Sequence, residues 1–290
     1  MRSEARCIPC VIHQCQRIVQ MVTQDENKLL SVTHRILDLI QELSLDEPPS
    51  LFTSHLLLAT YAALGTDDPF VTVKQQMNEL GSKAAEAARH KIERSNDPLH
   101  TAILYAAAGN IIDVGPHASF DLDAALAKLH FRRDDYKTFR ERLHGAERIL
   151  YLLDNAGEIF FDRLLLERLA GFQLTIAVKP GPILNDATLS DAETAGLKKL
   201  GRVITTGARV LGIDLDRSSP EFREAFEAGS DSHSADIVIA KGHANFESVV
   251  DASRDAFFIL KAKCPVVAGR LGVQEGDSVF FYSPVKTEEE

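Results

Sequence analysis

The hydrophobic pattern of this chain changes period at Gly145, and that change sets what it can fold into. Before Gly145, apolar residues such as Leu29, Val32, Ile36 and Ile40 recur every three or four positions, as on one face of a helix. Pro48-Pro49 and Gly65 break the pattern, and Asp68-Pro69 and Asp97-Pro98 each put a capping acid before a proline suited to a first helical turn. After Gly145, short apolar runs at 148–153, 174–178, 203–204, 237–240, 257–260, 266–268 and 278–282 alternate with helical stretches at 158–170, 191–200, 220–227 and 246–252. Strands alternating with helices predict a mostly parallel sheet with helices on both faces. With 290 residues, enough for two domains of roughly 150, we expect an all-helical N-terminal domain over 1–144 and an α/β domain over 145–290.

Charge and hydropathy exclude two classes of partner. Lys and Arg number 32 against 42 acids, a net charge of -10, so the chain lacks the basic footprint of a nucleic-acid binder. The first residues are interrupted by Glu4, Arg6, His13 and Arg17, and do not read as a signal peptide. The longest apolar stretches, near 56–64 and 102–108, fall short of the roughly 20 residues that span a bilayer. We expect no membrane partner and a cytoplasmic location. Four cysteines are too sparse for a disulfide framework.

In open α/β sheets ligands collect beyond the carboxyl ends of the strands, and three such places here are polar. They are Asp154-Asn155-Ala156-Gly157-Glu158, the stretch from Lys179-Pro180-Gly181-Pro182 to Asn185-Asp186, and Lys241-Gly242-His243-Ala244-Asn245. Asp154, Asn155 and Asp186 offer oxygen ligands without convergent Cys or His, the donor set of a hard cation such as Mg²⁺ or Mn²⁺, with Co²⁺ and Ni²⁺ also admitted. The competing reading makes Asp154, Asn155 and Asn185-Asp186 simple helix caps. Lys179 and Lys241 flank the same strand ends, and a metal with two ammonium groups is equipment for holding a phosphoryl group.

Together these segments, with Asp162, Ile183-Leu184-Asn185-Asp186-Ala187-Thr188, Asn245-Phe246-Glu247 and Lys261-Ala262-Lys263-Cys264-Pro265, resemble the DUF89 family, the ARMT1-like metal-dependent damage-control phosphatases. The Cys7-x-x-Cys10 start is similar to the prokaryotic branch of that family. The resemblance implies a Rossmann-like three-layer α/β/α domain beside a helical N-terminal region, and metal-dependent hydrolysis of small phosphorylated metabolites. Carried over by motif, Asp154, Asn155 and Asp186 are the metal ligands and catalytic residues, with Lys241 as a phosphate contact. Asn110 and Asp113, in a segment similar to one that reaches the family's pocket, join Lys179, Glu158 and Asn245 as candidate substrate contacts. An attacking water is the expected nucleophile, with an aspartyl-phosphate at Asp154 as the alternative.

Other motifs carry weaker readings. Cys7, Cys10, His13 and Cys15 form a group that suits either Zn²⁺ or burial as small hydrophobes, and Cys264 is expected in the core. Asp214-x-Asp216 resembles the aspartate pair of haloacid-dehalogenase phosphatases but lacks a preceding strand. No P-loop or G-x-G-x-x-G element is present. Two other functions compete with the phosphatase: an S-adenosylmethionine-dependent carboxyl methyltransferase, which wants a Gly-rich turn where Asp154 and Asn155 stand, and a noncatalytic phosphometabolite sensor.

Overall fold

A computed structural model of the chain describes residues 1–42, 44–109, 130–227 and 234–285. Helices α1 (Cys7–Val22), α2 (Glu26–Ile40) and α3 (Pro49–Leu64) bury their periodic apolar stripes against one another. Val32 and Ile36 meet Val11, Ile18, Phe52 and Leu56 in a core that also takes in Ile183 and Leu211 from the other half of the chain. Two longer-range helices follow, α4 (Val71–Glu93) and α5 (Pro98–Ala108). Asp97 caps α5 through the His100 amide at 3.0 Å, with Pro98 in the first turn as the sequence predicts. Asp68 does not cap a helix: it accepts the Phe70 amide inside a turn, and α4 begins only at Val71.

The remaining elements are β1 (Phe131–Asp134), α6 (Tyr136–Leu143), β2 (Arg148–Leu152), α7 (Ile159–Arg168), β3 (Gln173–Val178), α8 (Leu189–Thr194), β4 (Arg202–Thr205), α9 (Pro220–Phe226), β5 (Ile237–Lys241), α10 (His243–Val249), β6 (Ala256–Lys261), α11 (Pro265–Leu271) and β7 (Ser278–Ser283). The strands form one sheet in the order β1-β7-β6-β5-β2-β3-β4. The pairs from β6 to β4 are all parallel, and β7 lies antiparallel to β6. Helices cover both faces. Ile149, Tyr151, Ile176 and Ile239 point into a core shared with α4, α5 and α7, while Leu150, Leu152, Ala177 and Val238 point into one shared with α9, α10 and α11. This is the three-layer α/β/α arrangement expected, preceded by a helical N-terminal region.

Two sequence expectations are corrected. The stretch 1–144 is not all helical, because Phe131–Asp134 is an edge strand paired with β7. Its Phe-Arg-Arg-Asp sequence hides it: an edge strand needs only backbone pairing on one side, and three of its four residues are exposed. Residues 266–268 are not a strand but lie inside α11, where Cys264 is the N-cap and Pro265 the first helical residue. A three-residue apolar run cannot be assigned by period, and the proline was the stronger signal.

Candidate active site

The central strands β2 and β5 are neighbours, yet the chain leaves β2 for β3 and β4 on one side and returns to β5 on the other. Their carboxyl ends form the crevice of a topological switch point. Asp154 and Asn155 emerge there from β2, and Lys241 and Gly242 from β5. Asp186 arrives on the connection between β3 and α8, which is stitched to the Asp154 turn by backbone bonds. Asn155 and Asp186 form an isolated bridge, the Ala156 amide donates to Asn185 O at 2.8 Å, and the Ala187 amide donates to Asp154 O at 2.8 Å. Backbone pairing thus brings three residues, 32 positions apart at the extremes (154 to 186), to one place.

None of the three is a helix cap. The N-cap of α7 is Glu158, which makes no side-chain cap, and α8 is capped by a reciprocal box between Thr188 and Asp191. The competing capping reading therefore falls at these positions, and their side chains are left for other work.

Around them lies a buried charge network. The Asn155 amide Nδ2 donates to Asp154 Oδ2 at 2.9 Å and to Glu158 Oε1 at 2.6 Å, which leaves its oxygen as its ligating atom. Lys241, fully buried, places Nζ 2.7 Å from Asp162 Oδ1 and 3.4 Å from Glu158 Oε2. Tyr151 donates to the same Asp162 oxygen at 2.8 Å. Lys179 donates to the Gly212 carbonyl and stands 3.8 Å from Asp186 Oδ2. Asn245 donates to Leu153 O and Lys241 O, tying the ends of β2 and β5 together.

Burial governs the protonation of these groups. It pushes Asp154 up to about 6, helped by the Glu158 charge, and Asp186 up to about 8 against the pull of Lys179. Asp162 rises to about 6 for the same reason. Burial lowers Lys179 even beside Asp186, whereas at Lys241 the charges of Asp162 and Glu158 outweigh burial and hold the ammonium above its ordinary range.

These residues fit a hard divalent cation. Asp186 Oδ2 is buried without a hydrogen-bond partner, an anionic oxygen that the protein leaves uncompensated except by Lys179. Asp154, Asp186 and the Asn155 oxygen would hold the ion. Among the described residues no group of three or more His, Cys, Asp or Glu is arranged for a metal, so the third oxygen of this set is necessarily the amide.

The other candidates are placed as follows. Asn110 and Asp113 lie outside the described residues. The N-terminal group divides between faces of α1: Cys15 is buried in the α1–α3 core, Cys7 is half-buried, and Cys10 and His13 are exposed. Cys264 is not a core residue but a half-buried cap, its sulfur 3.6 Å from His243 Nε2. That imidazole is 3.2 Å from Glu247 and is held up at about 10, because Cys264 and Glu247 together outweigh its burial.

Sequence reasoning missed the part played by α4. Asn78 accepts the Gly157 amide at 2.8 Å, and Lys74 pairs with Asp191 at 2.8 Å. The glycines record how closely α4 approaches: a Cβ on Gly81 would lie 2.2 Å from Gly157 O. The Thr188-x-x-Asp191 spacing of a capping box was the one local signal.

A model of the damage-control phosphatase ARMT1-like domain matches residues 3–279. Damage-control phosphatase PH1575 of Pyrococcus horikoshii is 38% identical over 297 residues, covering 99% of this chain and 100% of that protein. A damage-control phosphatase of Archaeoglobus fulgidus is 34% identical over 224 residues, covering 73% of this chain and 75% of that protein. The crystal structure of a DUF89 family protein from Pyrococcus horikoshii superposes with a TM-score of 0.88 at 37% identity, over 98% of this chain and 100% of that one. With the whole length matched in sequence and fold, the chain belongs to the ARMT1-like damage-control phosphatase family, DUF89.

Proposed function

We propose that this protein is a metal-dependent phosphatase that hydrolyses small phosphomonoesters, sugar phosphates or damaged phosphometabolites, with Asp154, Asn155 and Asp186 holding the metal. The observation that carries the reading is the buried, unpartnered Asp186 Oδ2 beside Asp154 at the switch point of the sheet, in a chain of this family. When bound, Mg²⁺, Mn²⁺, Co²⁺ or Ni²⁺ supplies Lewis-acid polarisation of phosphoryl oxygens and lowers the pKa of water.

The protein's own groups prepare the site. Asn155 is oriented by its two donated bonds, so its oxygen is fixed before any ligand arrives. Lys241 holds Glu158 and Asp162, and Lys179 holds Asp186, which keeps the acidic cluster from repelling a phosphate dianion. We assign Lys241, with Lys179, Glu158 and Asn245, to the phosphate and substrate side. Asn110 and Asp113 remain substrate contacts in this proposal. Water is the nucleophile, since metal ligation takes up the Asp154 carboxylate that an aspartyl-phosphate route would need.

The carboxyl methyltransferase reading has no glycine-rich turn after β2 to carry it, and no observation favours the sensor. The test is the metal-stripped protein assayed for phosphate release on a phosphomonoester panel, with each divalent ion added back and Asp186→Asn alongside. Release that requires metal and vanishes in the variant is expected. Ligand binding with no release under any metal would overturn the phosphatase in favour of the sensor.

A further inference from the structure

The two loops that bear the oxygen ligands are joined by a side chain from outside both. Asn78 on α4 accepts the Gly157 amide through Oδ1 at 2.8 Å and donates through Nδ2 to Asp191 Oδ1 at 2.8 Å. Asp191 Oδ2 in turn accepts the Thr188 amide at 2.9 Å and the Thr188 hydroxyl at 2.6 Å, and pairs with Lys74 Nζ at 2.8 Å. Gly157 is three residues from Asp154, and Thr188 two from Asp186. Each polar atom of the Asn78 carboxamide therefore holds one loop.

We propose that Asn78 is a positioning residue that sets the spacing of Asp154 and Asn155 from Asp186, acting with Asp191 and Lys74, and that this part of the helical region tunes metal affinity. The proposal rests on the metal reading above. An amide is the side chain that meets both demands, because Gly157 presents a donor and Asp191 an acceptor. Lys74 and Asp191 are themselves buried, so the link is anchored rather than solvated. Outer partners of this kind typically alter metal affinity about 10- to 100-fold when removed.

The test uses the reciprocal chemistry of the pair. Asn78→Asp sets two carboxylates against each other, and Asp191→Asn sets two amide NH₂ groups against each other, so each single variant breaks the link. The double variant Asn78→Asp with Asp191→Asn restores it with donor and acceptor exchanged. Lys74, Asn78, Thr188 and Asp191 line a cavity of about 650 Å³, so these changes open no buried void.

Mn²⁺ titrated into the metal-stripped full chain by calorimetry is expected to bind about 10- to 100-fold more weakly to Asn78→Ala and Asn78→Asp. Binding is expected to recover in the double variant and to stay unchanged in Gln75→Ala, an exposed neighbour on the same helix. Amide hydrogen exchange at Gly157 gives a second readout that needs no metal: faster in Asn78→Ala, and slow again in the double variant. A double variant no better than Asn78→Asp in exchange overturns the proposal, as does an Asn78→Ala that matches the wild type. A wild type that takes up no Mn²⁺ defeats the metal reading instead, and exchange alone then decides the link.

Discussion

Gly242 and the Asp154 carboxylate occupy space that leaves no room for a side chain: a Cβ on Gly242 would lie 1.9 Å from Asp154 Oδ2. The glycine also has φ +85°, a conformation that L side chains rarely adopt. It ends β5 and lets the backbone lie against the carboxylate at the switch point, so it fixes where Asp154 points. Gly242→Ala is expected to displace that carboxylate, cost about 1–3 kcal/mol of stability from backbone strain, and lower metal-dependent turnover about 100-fold. Thermal unfolding and phosphate release measured together check this. Full turnover in the variant would show that Asp154 needs no such support.

Lys241 is the charge on which the interior network depends, being fully buried between Asp162 and Glu158. Lys241→Met leaves two buried carboxylates without their cation, a loss expected to cost about 3–5 kcal/mol. Adding Asp162→Asn removes one of those charges while keeping an acceptor for the Tyr151 hydroxyl, so part of the stability returns. Urea unfolding of the single and double variants measures the recovery. Equal midpoints would place the burden on Glu158.

Arg89 on α4 and Arg163 on α7 both donate to Glu167, the second at 2.9 Å, and so fasten the helical region to the sheet layer. Burial alone raises the Glu167 carboxyl, but the two guanidinium groups outweigh it and hold the group below its ordinary 4.5. Because the folded value is depressed, the stabilisation is present above 4.5 and lost as pH falls through the lower folded value. Glu167→Gln is expected to cost about 1 kcal/mol at neutral pH, a modest figure for a partly exposed cluster, and the gap should close in acid. Unfolding midpoints of both proteins across that range provide the check, and a gap independent of pH would contradict it.

The ligand residues were legible in the sequence because Asp154, Asn155 and Asp186 follow apolar strand runs, where an α/β sheet exposes its ligand crevice. The parallel sheet was legible for the same reason, since runs buried on both faces need no alternation. What stayed hidden depends on contacts made at a distance. Asn78 is 79 positions from its Gly157 partner, and on sequence alone one amide on a helix reads as a solvated side chain. The strand Phe131–Asp134 carries no apolar pattern because the sheet edge asks only for backbone pairing. Cys264 misled in the other direction, since its apolar neighbours belong to a helix that it caps.

Asp186 separates stability from function most sharply. Its Oδ2 is buried with no hydrogen bond, and the carboxyl is pushed up to about 8 by burial, so the charged form is poorly tolerated without a cation. Asn at this position keeps the shape and removes the charge. Metal-stripped Asp186→Asn is therefore expected to melt at or above the wild-type temperature, while metal-stimulated phosphate release disappears. Saturating Mn²⁺ should raise the wild-type melting temperature, as any ligand selective for the folded state does, and leave the variant where it was. Scanning calorimetry with and without Mn²⁺ reads both effects at once. If Mn²⁺ stabilises the variant as much as the wild type, the ion binds elsewhere, and Asp186 loses its place among the ligands.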